Sequence, residues 1–182
     1  MVGTCSQCSG TFKNLTILRL DGSGNLLWNQ TLQSSNLNVG FNVIEDTKGN
    51  IVVSGISKKK NKCRNYLMLA QFSPDGRVKW IKDFKMKGCV GITSIACSGN
   101  DDIFVGGTLF NFQNDFSTIF VMMFDLNGKT TWKKQVDGLG KETCNAMILS
   151  KEKSLVIAGA TTDENMNTDI LLVKTSILPL EK

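Results

Sequence analysis

The chain has 182 residues, 41% of them apolar and 20% charged, with a net charge of +5 and no histidine. Such a length and apolar share can bury one sizeable core, and two prolines with no low-complexity tract exclude a disordered linker or tail. The missing histidine removes the commonest general base, the Ser-His-Asp and Cys-His nucleophile arrangements and most catalytic zinc sites, and no run approaches the roughly 18 to 20 apolar residues of a membrane helix.

Taken in chain order, the predicted elements are all strands. "MVGT" opens inside one, and two more flank the turn "DGSGN", ending in the stretch that carries Trp28. Then come strands near 40–47, 50–57, 66–73 and 77–84, and the same four-strand pattern returns every 52 residues. The segments "ITSIACS", "DIFVGGTL", "TIFVMMFD" and "KTTWKKQV" are short, rich in β-branched and aromatic residues, and bounded by Gly, Asn and Asp. No segment keeps a helical period. Several strands are apolar on both faces ("YLMLAQF", "IFVMMF"), which suits sheets covered on both sides.

Three sets of landmarks share one interval. Trp28, Trp80 and Trp132 are 52 residues apart, as are the turn glycines Gly24, Gly76 and Gly128 and the strand glycines Gly3, Gly55, Gly107 and Gly159. No insertion or deletion is needed to align them. Four strands per unit of about 40 to 50 residues are the signature of a β-propeller, so the expected fold is all-β: stacked blades of four antiparallel strands. The expected organisation is a single segment, 1–182, with units near 3–54, 55–106, 107–158 and a partial 159–182. Three and a half repeats do not close a ring.

The turn D-x-x-G-x-x-x-W followed by "GNIVVSG" resembles the bacterial β-propeller repeat family and, more distantly, the tryptophan-docked repeats of quinoprotein dehydrogenases. Asp125, Gly128 and Trp132 match the turn; in the second copy Asp75 stands beside Gly76, and in the first Asp21 stands with Gly22 and Gly24. The resemblance implies that each tryptophan lies on the outermost strand, packs its ring on the neighbouring blade and donates its N–H to a backbone acceptor. Trp28, Trp80, Trp132, Gly24, Gly76 and Gly128 are thus structural, the glycines supplying a positive φ.

Connections in an antiparallel blade alternate between its two ends. The "DTKGN" and "SPDGR" kinds read as tight turns, and "SKKKNKCRN", "LFNFQNDFS" and "FKMKGCV" as longer loops sharing the opposite, working end. Lys58, Lys59, Lys60, Lys62, Arg64, Lys85 and Lys87 would crowd one sector of it, a basic patch able to attract phosphate or an acidic partner, or simply a solvated loop. Cys5 and Cys8 form a lone C-x-x-C, too few ligands for zinc, and free thiols are expected, with a Cys63–Cys89 bridge the alternative. Glu45, Asp46, Asp101 and Asp102 read as hairpin caps rather than acid-base or calcium groups.

The expected function is a non-enzymatic scaffold or protein-interaction module, cytoplasmic, with no cofactor and no metal. Its expected partner is another protein or a second copy joined through open sheet edges at Leu15–Leu20 and Ile170–Val173; nucleic acid is not expected. The alternatives are a piece of a propeller enzyme of quinone-cofactor or lyase type, and a piece of a secreted carbohydrate-binding adhesin.

Overall fold

The computed structural model describes residues 2–6, 13–32, 37–58, 65–136, 138, 140–152 and 154–176. The chain divides into two compact units, Met1–Met86 and Lys87–Lys182. Every regular element among the described residues is a strand, and all pairings are antiparallel between sequence neighbours.

The first unit holds a three-stranded sheet of β1 (Val2–Ser6), β2 (Lys13–Leu20) and β3 (Leu26–Leu32). A four-stranded sheet follows, of β4 (Leu37–Glu45), β5 (Ile51–Lys58), β6 (Asn65–Phe72) and β7 (Val78–Lys85). The second unit holds four strands, β8 (Cys89–Cys97), β9 (Ile103–Asn111), β10 (Phe116–Phe124) and β11 (Thr130–Val136). Its other sheet has three, β12 (Lys141–Leu149), β13 (Ser154–Thr162) and β14 (Thr168–Ser176).

Each unit builds its core between its two sheets. In the first, Leu15 and Ile17 of β2 meet Ile51, Val53, Met68, Ala70 and Phe72, with Trp28 packed against the cluster. In the second, Phe104, Ile119 and Val121 meet Cys144, Met147, Leu155 and Ile157, joined by Trp132, Leu171 and Val173. Burying one such Leu, Ile or Phe side chain is worth about 1.5 to 3 kcal/mol.

The strand glycines answer a backbone feature that recurs with the repeat. In β4, β8 and β12 the pairing register shifts between Gly40 and Asn42, Ile92 and Ser94, and Cys144 and Ala146, leaving Phe41, Thr93 and Asn145 as extra residues. These β-bulges lie opposite Gly55, Gly107 and Gly159. A Cβ on those glycines would stand 2.1 Å from Val39 O, 2.1 Å from Gly91 O and 1.9 Å from Thr143 O, so only glycine lets the bulged strand approach. A second shift recurs where the outer strands pair, at Arg19/Leu20, Gln71/Phe72 and Met123/Phe124, immediately after each tryptophan's partner.

The hairpin turns share one chemistry. Asp21, Asp46, Asp125 and Asp163 each accept hydrogen bonds on one carboxylate oxygen from the backbone N–H groups two and four residues on, at 2.8 to 2.9 Å. Ser73, Ser98 and Ser150 do the same with a hydroxyl for the N–H four residues on. These side chains stand in for a turn's missing ladder partners.

Two expectations need correction. Among the described residues the contrast between tight turns at one end and long loops at the other is not seen; the loops 7–12, 33–36 and 59–64 lie outside them. β8 and β12 start at Cys89 and Lys141, three residues ahead of the expected 92 and 144, and leave only 86–88 and 137–140 as connections. Polar residues such as Lys141 and Glu142 hide this strand extension in the sequence. The repeat also does not hold to the end without a deletion. Gly3 pairs with Thr16, Gly55 with Met68 and Gly107 with Phe120, but Gly159 pairs with Leu171, one residue early, around the turn 163–167.

Candidate functional site

Of the basic sector, Lys59, Lys60, Lys62 and Arg64 lie outside the described residues. Lys58 and Lys85 are exposed at the same end of the β4–β7 sheet, where Asn65 pairs with Lys58 and Tyr66 with Lys85. Lys87 belongs to the second unit and is exposed. Cys8 and Cys63 are likewise outside the description, while Cys89, Cys97 and Cys144 are free thiols. Among the described residues no three His, Cys, Asp or Glu side chains gather where they could hold a metal ion.

The tryptophan positions carry packing. Trp28 donates its Nε1–H to Pro74 O at 3.0 Å, in the β6–β7 turn of the neighbouring sheet, and Arg19 Nη1 donates to the same carbonyl at 2.9 Å. Trp80 is half-buried with Lys82 Nζ 5.8 Å from its ring centre, and Trp132 packs on the second unit's core. Gly24, Gly76 and Gly128 have φ of +86°, +86° and +68°. Of the acidic pairs, Glu45 ends β4 and lies 3.8 Å from Arg19, while the others are turn groups: Asp46 also accepts from Asn50 Nδ2 and Gln71 Nε2, and Asp101 takes a left-handed φ of +65°.

A concave site that the basic-loop reading did not anticipate lies at one end of the second unit. A cleft of about 330 Å³ is lined by Phe110, Phe112 and Phe116 of the β9–β10 hairpin, Lys141 and Thr143 of β12, and Met166 of the β13–β14 turn, among others. The hairpin presents its aromatic rings because it turns sharply. Asn111 Oδ1 accepts from Gln113 N–H at 3.1 Å, and Asp115 adopts φ +50°, which reverses the chain within 112–115. Phe110 and Phe112 then stack with centroids 6.1 Å apart and planes within 7°. Phe112 remains 76% exposed, Phe116 39% and Met166 71%, so the rim of the cleft is apolar and open.

Polar groups around it are mostly satisfied internally. Lys141 forms an ion pair with Asp115, tying β12 to the aromatic turn, and the hydroxyls of Thr162 and Thr168 are 2.9 Å apart. Next to Lys141, the fully buried Glu142 accepts from Gly140 N–H at 3.1 Å and from Thr161 Oγ1 at 3.3 Å, both on Oε1. A second cleft, about 180 Å³, shares Phe110, Asn111 and Phe116 and adds Lys87, Thr118 and Gln135. Lys87, of the expected basic sector, thus lines this second cleft. The aromatic cluster had a visible signal, three phenylalanines within "LFNFQNDF", but strand content and loop content look alike in so apolar a stretch.

No family model matches the chain, and no curated protein matches it. Among solved structures it is similar to a crystal structure of a protein of unknown function from Bacteroides caccae, with a TM-score of 0.53 and 12% identity. The likeness covers 96% of this chain and 56% of that one, so the chain spans about half the length of the structure it matches. At that identity the likeness speaks to fold alone.

Proposed function

We propose that the chain is a non-enzymatic β-propeller segment, each sheet a blade, that docks a protein partner through the cleft at Phe110, Phe112 and Phe116. The propeller reading is supported by the 52-residue recurrence of bulges, glycines and tryptophans, and by the docking of Trp28 on the next sheet's turn. The docking reading is carried by one observation, the open aromatic rim. Aromatic side chains and methionine are enriched at protein interfaces, and hot spots form where a partner's side chain fills a small apolar pocket. At about 330 Å³ the cleft is at the lower end of ligand-site volumes, a fit for one or two side chains. The reading assigns no cofactor, no metal and no reaction.

Selection of a displayed peptide library on the full chain tests this. Selected peptides should carry an aromatic or large aliphatic anchor and should bind Phe112→Ser and Phe116→Ser at least about tenfold more weakly, the loss expected of a hot-spot residue. Peptides indifferent to both substitutions would overturn the reading. Oligosaccharide binding lost in the same variants would move the chain to the carbohydrate-binding class.

A further inference from the structure

The two clefts at the β9–β10 hairpin share a wall, since Phe110, Asn111 and Phe116 line both. Close packing fixes that wall. A Cβ on Gly91 would stand 3.1 Å from Phe110 Cε2, and one on Gly88 would stand 2.5 Å from Phe110 O, so the start of β8 lies tight against Phe110. Cys89 pairs with Phe110 in the same ladder. Lys87, one residue ahead of Gly88, is thereby set beside the hairpin and lines the smaller cleft.

The clefts differ in charge. In the larger, of about 330 Å³, Lys141 is already paired with Asp115. In the smaller, of about 180 Å³, Lys87 is the charged member among the described lining residues, with Asn111, Thr118 and Gln135 as uncharged polar groups. Its side chain is exposed, and no described group pairs with its ammonium. An aromatic cleft suited to an apolar side chain therefore adjoins a cation that lacks a counter-charge among the described residues.

We infer that the partner docked at this hairpin is an acidic linear segment. A large apolar side chain enters the larger cleft, and an aspartate or glutamate a few residues along meets Lys87. The inference rests on the docking reading of the aromatic cleft and adds the chemistry of the partner. Charge complementarity carries it at two ranges: Lys87 supplies a local contact, and the chain's net charge of +5 favours the approach of acidic segments. The anion is a carboxylate rather than a phosphate group, because phosphate recognition in peptides gathers several arginines, and none lines either cleft among the described residues.

Peptides selected from a random displayed library on the full chain, and weakened by Phe112→Ser or Phe116→Ser, are the probes. Their flanks should be enriched in Asp and Glu. Each is then synthesised in two forms, with the acid and with its amide, and binding is followed by fluorescence anisotropy. The wild type should bind the acidic form at least about threefold more tightly, and the preference should shrink as salt rises from about 0.05 M to about 0.5 M. Lys87→Gln should erase the preference and Lys87→Arg should keep it; both replace an exposed side chain and should leave folding intact. Phenylalanine-dependent peptides without acidic enrichment, or a preference that survives Lys87→Gln, would overturn the acidic partner while leaving the aromatic docking in place. Phosphoserine in the acid's position binding at least about tenfold more tightly than the acid would overturn the carboxylate. Failure to select any peptide sensitive to Phe112→Ser or Phe116→Ser would remove the docking reading and this inference with it.

Discussion

The indole of Trp28 occupies the space that a side chain at Gly76 would need: a Cβ on Gly76 would lie 2.8 Å from its Cδ2 and 2.9 Å from its Cε3. The turn glycine thus serves two ends at once, a left-handed backbone and a seat for the neighbouring sheet's ring. Gly24 has the same φ of +86° with nothing within 4 Å. Gly24→Ala should therefore cost about 1 kcal/mol for backbone strain alone. Gly76→Ala should cost that plus about 1 to 3 kcal/mol of overpacking. Urea denaturation of the pair isolates the Trp28 contact, and equal losses would mean the ring moves aside freely.

Asp46 is 5% exposed and holds four donors, Lys48 N–H, Asn50 N–H, Asn50 Nδ2 and Gln71 Nε2, at 2.8 to 3.0 Å. Asp125 accepts from two backbone N–H groups at the surface. Asp46→Ala leaves buried amide donors without partners and should lose about 2 to 3 kcal/mol, whereas Asp125→Ala should lose about 1. Chemical denaturation that ranks them in the reverse order would refute the buried network as the stronger element.

Three surface carboxyls link stability to acidity. Side-chain and backbone donors of Asn25 hold Asp21 below the usual carboxylate range, those of Asn167 do so for Asp163, and Ser73 with Arg77 does so for Asp75. Each therefore binds its proton at lower pH in the folded chain than in the unfolded one. Their contribution is complete above about pH 4 and is lost as pH falls through the folded values below it. Asp21→Asn with Asp163→Asn should be less stable than wild type at pH 6, and the gap should close on acidification below about pH 4. A gap that is constant with pH would remove the linkage.

Cys144 is 4% exposed, and burial pushes its thiol up from the ordinary value, opposed by Thr93. Its thiolate population at neutral pH is small and shielded. Alkylation mapped by mass spectrometry should modify Cys144 only as fast as the second unit unfolds, with the more exposed Cys89 reacting ahead of it. Rapid labelling of Cys144 in the native chain would show that the core between β8–β11 and β12–β14 opens more readily than its packing implies.

Strands were legible because apolar runs and turn residues alternate cleanly. Observed bounds such as Ile51–Lys58 and Thr130–Val136 lie within two residues of expectation. The strand glycines were visible as a period but not as a cause, since a bulge at Phe41, Thr93 or Asn145 is a backbone event with no residue signature. The cleft was hidden for another reason. Phe110, Phe112 and Phe116 have the composition of a core strand, and only the reversal at 112–115 turns them outward. Lysines, by contrast, draw attention in a sequence wherever they fall, yet most of that sector lies outside the described residues.

The one-residue register shift between β13 and β14 has a consequence for how such chains change length. Losing one residue ahead of a strand exchanges the sides on which all its later side chains point. In "DILLVKTSIL" the exchange is tolerated because neighbouring positions are both aliphatic: Leu171 and Val173 fill the core that the 52-residue frame would have given to Leu172. Aliphatic residues at both parities make the strand indifferent to frame, so a single-codon deletion in its hairpin alters the outer surface while sparing the interior. A strand with strict apolar-polar alternation, such as β7 with its burial alternating residue by residue, would have no such latitude.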